Sequence, residues 1–259
     1  MKVKDIYSYL CTKAPLELQM DFDNSGFLVG DPEQDVSNIL VALDITSEVI
    51  EEAVDHNVQL IVSHHPVIWE PMKQVLTSDP QQSKIIKLIK NDIAAICMHT
   101  NLDITEGGVN DKLMELLGAK TTGILEYTDV DNGCGRLGEL DNPMELQSFM
   151  DRCKNVLHAN GLRFHDAGKK VHKIAVMGGS GGNELHLAWE NGCDTYITSD
   201  IKYDVFLLAK EVGINLIDAD HFSTENPVTE VLYQWIRDFA KDACVFISEK
   251  QGPAAQFYS

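Results

Sequence analysis

Residues 58–66 read Val-Gln-Leu-Ile-Val-Ser-His-His-Pro, a short apolar run that ends in two histidines and a proline. The apolar residues predict a buried strand, and Pro66 predicts its end because proline lacks the N–H that a sheet ladder needs. His64 and His65 then lie at the carboxyl end of the strand, where open α/β sheets place their binding sites. This stretch predicts both a fold class and the position of a site.

Helical and strand-like patterns alternate on either side of this run. The alternation predicts an α/β fold with a largely parallel sheet. The predicted strands are 38–44, 58–63, 93–98, 173–177, 193–198, 214–217 and 243–248. The predicted helices between and after them include 83–91, 109–117, 184–191 and one that opens near Asn226-Pro227.

Two parts of the chain repeat this pattern. A shift of 135 residues superposes one βαβ unit on another without a gap, so that Ile39 falls on Ile174 and His65 falls on Asp200. The match predicts an internal duplication. The alternative is that the match reflects only the pattern that any two βαβ units share. Few residues are identical between the two units, which favours this alternative.

The domain organisation follows from a change of composition in mid-chain. Residues 121–141 carry four glycines and several acidic residues, which favours a crossing between two lobes. We predict a first lobe over 1–127 that is completed by 215–259, and a second lobe over 128–214. A long helix is predicted to begin at Asn142-Pro143, with Asn142 as its cap.

The charge balance bears on partners. Lys and Arg total 21 against 40 Asp and Glu, which gives a net charge of −19. Such a surface repels phosphate backbones, so nucleic-acid binding is not expected. No apolar run approaches the roughly 20 residues that span a bilayer, and the N-terminus does not resemble a signal peptide. The six scattered cysteines contain no C-x-x-C, so we expect a cytoplasmic protein with reduced thiols.

Two further predicted strands end in the same way as residues 58–66. One runs into His99 and Asp103, and the other runs into His221 and Glu225. Imidazoles and carboxylates at three strand ends favour a site for two divalent ions, which zinc, manganese, iron, cobalt or nickel would suit. The alternatives are hydrogen-bonded structural histidines and, at residues 101–103, a simple turn.

Other polar positions have supporting or structural interpretations. His99 and Asp220 are predicted to hydrogen bond to ligating residues and orient them, and Asp200 either does the same or caps a helix. The glycine-rich residues 178–182 favour either a phosphate cradle or a tight turn with positive φ. Residues 21–26 favour either a wall of the site or a plain turn.

Several of these motifs, taken together, resemble one known family. The stretches are Asp23-Asn24-Ser25-Gly26, Ser63-His64-His65-Pro66, His99-Thr100-Asn101-Leu102-Asp103, Asp200-Ile201-Lys202-Tyr203 and His221-Phe222-Ser223-Thr224-Glu225. They are similar to the GTP cyclohydrolase 1 type 2 homologues, also called the Nif-three-like dinuclear metal-binding family. The resemblance extends from the first predicted helix to the last.

The resemblance implies two interlocked α/β lobes, a toroidal homohexamer and a dinuclear metal centre. It implies that the ligands of the two divalent ions are His64, His65, Asp103, His221 and Glu225. The large additional domain of some relatives is absent, since too few residues separate Thr128 from Lys173. Two positions depart from the family pattern: Ser199 stands where a glycine is common, and Asp204 stands where many relatives carry a histidine.

The predicted function is that of a dinuclear metal-dependent hydrolase acting on a small anionic or nucleotide substrate. In this hypothesis His99 assists as an orienting partner or as an acid/base. The resemblance implies hydrolytic opening of the guanine imidazole ring. The alternatives are a phosphoester hydrolase and a non-catalytic metal-binding scaffold or chaperone ring.

Overall fold

The computed structural model of the protein describes residues 1–257 and divides into two compact units. Unit 1 comprises 1–105 and 228–252, and unit 2 comprises 106–227 and the residues from Pro253 onward. The boundaries therefore lie at other positions than the 127/128 and 214/215 of the predicted lobes. The last two residues of the predicted segment 215–259 lie outside the described residues.

The elements alternate between helix and strand over much of the chain. Unit 1 opens with α1 (Val3–Lys13), β1 (Gly26–Val29), β2 (Asn38–Ala42), α2 (Ser47–Asp55), β3 (Leu60–Ser63), α3 (Pro80–Lys90), β4 (Ala94–Cys97) and α4 (Thr100–Ile104). Unit 2 contains α5 (Val109–Leu116), β5 (Ala119–Tyr127), β6 (Gly133–Met144), α6 (Leu146–Val156), β7 (Arg163–His165), β8 (Val171–Val176), α7 (Leu185–Glu190), β9 (Thr195–Thr198), α8 (Tyr203–Val212), β10 (Asn215–Asp218) and α9 (His221–Glu225). The chain then returns to unit 1 with α10 (Val228–Phe239) and β11 (Cys244–Ile247).

The sheet of unit 1 has the strand order β1-β4-β3-β2-β11. Its strands run parallel except for β1, which pairs antiparallel with β4. Every residue of β3 and β4 is buried, as expected of parallel strands covered on both faces. The core of this unit includes Leu40, Val49, Ile61, Leu88 and Ala95. The largely parallel sheet predicted from the sequence is confirmed here.

The sheet of unit 2 has the order β5-β6-β8-β9-β10-β7 and is mixed. Only β8, β9 and β10 run parallel to one another among its described strands. The prediction of a largely parallel sheet is therefore wrong for this unit. Residues 121–141, which we expected to cross between lobes, instead form most of the antiparallel hairpin of β5 and β6. Their glycines serve the bulges and close contacts of the hairpin.

The helix predicted to begin at Asn142-Pro143 begins later. β6 continues to Met144, which pairs with Val171 of β8, and α6 starts only at Leu146. The register of β6 shifts between Glu139 and Met144. A bulge of this kind is one of the few places where a strand accepts a proline. Pairing with β8 therefore overrides the local capping signal.

The two units share a βαβαβ pattern, β2-α2-β3-α3-β4 in unit 1 and β8-α7-β9-α8-β10 in unit 2. Ile39 of β2 pairs with Leu60 of β3, and Ile174 of β8 pairs with Thr195 of β9. Both partners are thus offset by the same 135 residues that superpose the two sequence patterns. In each unit the third strand is followed by a helix of 5 residues, α4 or α9. This repeated architecture supports the predicted internal duplication.

No helix within residues 1–257 has the length and apolar character that a bilayer crossing requires.

Candidate metal centre

Three histidines converge at the carboxyl edge of the sheet of unit 1. His64 and His65 follow β3 directly, and His99 follows β4 by two residues. One ligand atom from each lies within 4.8 Å of the others. The convergence follows from the topology, because β3 and β4 are neighbours that run parallel and end at the same edge.

His64 pairs with a carboxylate from α4. Its Nδ1 donates a hydrogen bond to the carbonyl oxygen of Met98 at 2.8 Å, and its Nε2 lies 3.7 Å from Oδ1 of Asp103. Both side chains are buried. Asp103 belongs to a helix that begins after His99, so the simple turn considered for residues 101–103 is wrong. Two atoms that bind one zinc-sized ion lie within about 4.4 Å of each other, so this spacing suits a shared ion.

His65 is oriented by an aspartate that our sequence analysis missed. Nδ1 of His65 lies 2.8 Å from Oδ1 of Asp44. Asp44 follows β2, the strand beside β3, and therefore lies at the same sheet edge. Asp44 could have been predicted from its position after a strand, because a carboxylate after a strand of this sheet is a candidate partner for the histidines after β3.

His99 is oriented by Asp23 from the polar loop 21–26. Its Nδ1 lies 2.7 Å from Oδ1 of Asp23, and that carboxylate also accepts hydrogen bonds from Thr100 and Ser25. Burial alone would raise the pKa of Asp23, but these hydrogen bonds and the charge of His99 outweigh it and hold the pKa well below its usual value. The loop is thus a wall of the site, one of its two predicted roles.

Trp69 is a further residue of this region that sequence reasoning missed. Its ring meets the ring of His99 edge-on, with 5.2 Å between the centroids and an interplanar angle of 72°. The side chain remains 48% exposed. Asn24 donates a hydrogen bond at 2.6 Å to the carbonyl oxygen of Ile68, which anchors the segment that carries Trp69.

Cys97 lies in β4 beside this cluster but is not suited to bind metal. Its thiol is buried and donates to the carbonyl oxygen of His64 at 2.9 Å. Burial raises the pKa of Cys97 well above its usual value, and the charges of Asp23 and Asp103 raise it further. The thiol therefore stays protonated, whereas a metal ligand must be a thiolate.

Unit 2 contributes a second set of candidate ligands on α9. His221 and Glu225 are four residues apart, so both lie on one face of the helix, and Nε2 of His221 is 2.9 Å from Oε2 of Glu225. Glu225 is buried. The sequence patterns did not predict a helix over residues 221–225, and the structure forms one there. Asp220 is the N-cap of this helix, and its side chain accepts a hydrogen bond from the Ser223 N–H at 3.2 Å. Its backbone φ is 69°.

The partner of His221 is Asp200, which follows β9. Oδ2 of Asp200 lies 2.7 Å from Nδ1 of His221. The sequence left Asp200 as either such a partner or a helix cap, and the structure makes it the partner. Asp220, predicted to orient a ligating side chain, instead caps α9.

Three N–H groups of the glycine-rich loop 178–182 donate to acceptors within unit 2 and not to a phosphate. The Gly178 N–H donates to Asn110 at 2.9 Å, the Gly179 N–H to Thr224 at 3.0 Å and the Gly181 N–H to Thr198 at 2.9 Å. These donors are therefore already engaged within unit 2. The alternative prediction, a tight turn with positive φ, is confirmed at Gly179, where φ is +64°.

The residues of both sets fit divalent metal ions. The Nδ1 atoms of the candidate histidines each lie 2.7–2.8 Å from a carbonyl or carboxylate oxygen, in the pairs His64–Met98, His65–Asp44, His99–Asp23 and His221–Asp200. A neutral imidazole that donates from Nδ1 presents its lone pair at Nε2. This arrangement is typical of metal-ligating histidines, and the mixed imidazole and carboxylate donors suit first-row divalent ions.

Comparisons with known proteins agree with this fold. A protein from Clostridium acetobutylicum named "GTP cyclohydrolase 1 type 2 homolog" is 38% identical over 90% of this chain and 88% of its own length. A protein of the same name from Clostridium perfringens is 37% identical over 97% of both chains. The crystal structure of a Staphylococcus aureus hypothetical protein superposes with a TM-score of 0.91 at 30% identity, covering 100% of this chain and 99% of that one.

A second solved structure supports the fold, and a family model covers almost the whole chain. The Bacillus cereus protein described as related to NIF3 superposes with a TM-score of 0.95 at 23% identity, covering 100% of this chain and 99% of that one. The model described as Duf34/NIF3 (NGG1p interacting factor 3) matches residues 1–253. The chain therefore belongs to the Duf34/NIF3 family.

Proposed function

We propose that the protein is a metal-dependent hydrolase whose two ligand sets together hold two divalent ions. The proposed ligands are His64, His65, Asp103, His221 and Glu225. The observation that carries the proposal is the oxygen partner at Nδ1 of each proposed histidine ligand, at 2.7–2.8 Å. Such a partner fixes the tautomer and aims Nε2 at an ion.

Two divalent ions in such a centre lower the pKa of a coordinated water towards neutrality and polarise the bond that the water attacks. The net charge of −19 would repel an anionic substrate elsewhere on the surface. A local positive potential from the ions offsets that repulsion at the site.

His99 is proposed to transfer the proton. Its Nδ1 donates to Asp23, so its Nε2 is the nitrogen that takes a proton from water or returns one to a leaving group. The depressed pKa of Asp23 keeps the carboxylate charged, and that charge stabilises the imidazolium once His99 has taken the proton.

The proposed reaction is hydrolytic opening of the guanine imidazole ring of GTP. The names of the curated relatives support this substrate. The half-exposed indole of Trp69 beside His99 also supports a substrate with a planar ring, because such rings stack on exposed aromatic side chains.

The test is turnover by protein loaded separately with zinc, manganese, iron or cobalt. GTP hydrolysis that disappears in Asp103→Ala and Glu225→Ala, and persists in a variant of the exposed Asp55, would support the proposal. Hydrolysis of phosphoesters alone would favour the phosphoesterase alternative. Tight metal binding with no turnover of either substrate class would favour a non-catalytic scaffold.

We also propose, from the family resemblance, that the chain assembles into a homohexameric ring. Light scattering coupled to size-exclusion chromatography should then give a mass about six times the 28.8 kDa of one chain. A monomer or dimer at working concentrations would contradict the ring.

A further inference from the structure

We infer that Gly179 is a positioning residue for Glu225 and His221, and that its lack of a side chain is what lets α9 present both groups. The inference rests on the proposed function, because it treats Glu225 and His221 as metal ligands. It concerns the loop between β8 and α7, whose N–H groups are engaged within unit 2.

The first observation is the space that Gly179 leaves open. A Cβ on this residue would lie 2.0 Å from Oε1 of Glu225, 3.0 Å from its Cδ and 3.2 Å from Nε2 of His221. Such distances are far inside van der Waals contact. The atoms that must give way are the end of the Glu225 side chain, so a side chain at position 179 would displace the carboxylate.

The second observation is that the main chain of Gly179 forms hydrogen bonds with residues close to His221 and Glu225. Its N–H donates to Oγ1 of Thr224 at 3.0 Å, and Thr224 lies between His221 and Glu225 on α9. Its carbonyl oxygen accepts from the Ser199 N–H at 2.9 Å. These hydrogen bonds connect Gly179 to α9, which carries His221 and Glu225, and to the residues that follow β9.

Thr198 and Ser199 extend this attachment to Asp200. Oγ1 of Thr198 donates to the Gly179 carbonyl oxygen at 3.1 Å, and the Ser199 hydroxyl donates to it as well. Asp200 follows directly and holds Nδ1 of His221 at 2.7 Å. The turn at Gly179 therefore lies directly against the Glu225 side chain, and it is linked to His221 through Asp200.

The backbone conformation explains why the position requires glycine in particular. Gly179 has φ +64°, in the left-handed region that glycine adopts without strain. Gly213, which ends α8, has nearly the same conformation at φ +67°, yet a Cβ there would meet nothing within 4 Å. The two glycines therefore separate the effect of backbone strain from the effect of contact with Glu225.

The test compares Gly179→Ala with Gly213→Ala as the matched control. Cobalt or zinc binding is measured by titration calorimetry, and the ion content is measured by elemental analysis. Gly179→Ala should weaken binding by roughly 10–100-fold, the usual effect of losing a residue that supports metal ligands. Gly213→Ala should bind as the wild type does. Wild-type affinity in Gly179→Ala would overturn the inference.

A second measurement does not depend on metal binding. The thermal unfolding of the metal-free protein is followed for Gly179→Ala, Glu225→Ala and the double variant. Glu225→Ala removes the atoms that crowd position 179, so it should relieve the part of the Gly179→Ala destabilisation that exceeds the effect of Gly213→Ala, and the two effects should be non-additive. Additive effects would overturn the inference. A wild-type protein that binds no metal would refute the proposed function, while this cycle would still decide whether Gly179 acts through Glu225.

Discussion

Nε2 of His64 lies 3.7 Å from Oδ1 of Asp103, and both side chains are buried. The pair joins the end of β3 to the helix that follows β4, so two neighbouring strands of one sheet define it. A carboxylate is costly to bury without positive charge or hydrogen bonds nearby. A divalent ion bound between these two groups would supply that charge.

Replacing this carboxylate should therefore weaken metal binding. We expect Asp103→Asn to lower metal affinity by at least 100-fold, because a neutral amide keeps the shape of the side chain but loses its charge. Titration calorimetry with zinc would measure the change, with Asp55→Asn at an exposed position of α2 as the control. Equal affinities in both variants would show that Asp103 is not a ligand.

Removing the metal should leave the protein folded. Each unit has its own apolar core, centred on residues such as Ile61 in unit 1 and Phe149 in unit 2. Chelation should lower the melting temperature by roughly 5–10 °C for each ion removed if each is present at 100 times its dissociation constant, which corresponds to about 2.7 kcal/mol per site.

Circular dichroism before and after chelation measures this effect. The far-ultraviolet spectrum should be nearly unchanged at 25 °C, and the same holds for His65→Ala and Glu225→Ala. Loss of the helical signal on chelation would mean that the metal is needed for folding.

The hydrogen bond between His99 and Asp23 should be visible in the pH dependence of stability. The pKa of Asp23 is depressed in the folded state, so its contribution is fully present above the unfolded value of roughly 3.9 and is lost as pH falls through the lower folded value. Wild-type protein should therefore be more stable than Asp23→Asn at pH 6, and the difference should shrink as the pH falls below about 4. Denaturant unfolding of the metal-free proteins across this range would measure it. A difference that does not change with pH would contradict the depressed pKa.

Trp69 and Trp189 allow a matched test of ring stacking. Both are 48% exposed; Trp69 contacts the ring of His99, whereas Trp189 belongs to α7 of unit 2. Trp69→Ala should weaken the binding of GTP by roughly 1–3 kcal/mol, the range seen for stacking of a base on an aromatic side chain. Trp189→Ala should have no such effect. Equal GTP affinities in the two variants, measured by calorimetry, would remove Trp69 from the site.

The sequence predicts the ligand-bearing strand ends well because buried parallel strands are apolar throughout. The run that ends at His64 is the clearest case, since Pro66 marks its limit and all residues of β3 are buried. The side chains that contact the histidines were harder to predict from the sequence. Asp44 and Trp69 are recognisable only once the strand order is known, because they come from other segments of the chain.

One local prediction failed because strand pairing overrides it, and one region contains a helix that the sequence did not predict. Asn142-Pro143 has the composition of a helix start, but the pairing of Met144 with Val171 extends the strand past it. Residues 221–225 precede Asn226-Pro227, which we expected to open the next helix. That helix, α10, begins at Val228 directly after the proline, as predicted, and a second helix, α9, precedes it because Asp220 caps residues 221–225.

We propose that five side chains of this protein hold two divalent ions. The most direct measurement is a crystal structure of the metal-loaded protein with anomalous data collected at the absorption edge of the metal. We expect two anomalous peaks about 3.5–4 Å apart, contacted by His64, His65, Asp103, His221 and Glu225. Clear density for these side chains with no anomalous peak among them would contradict it.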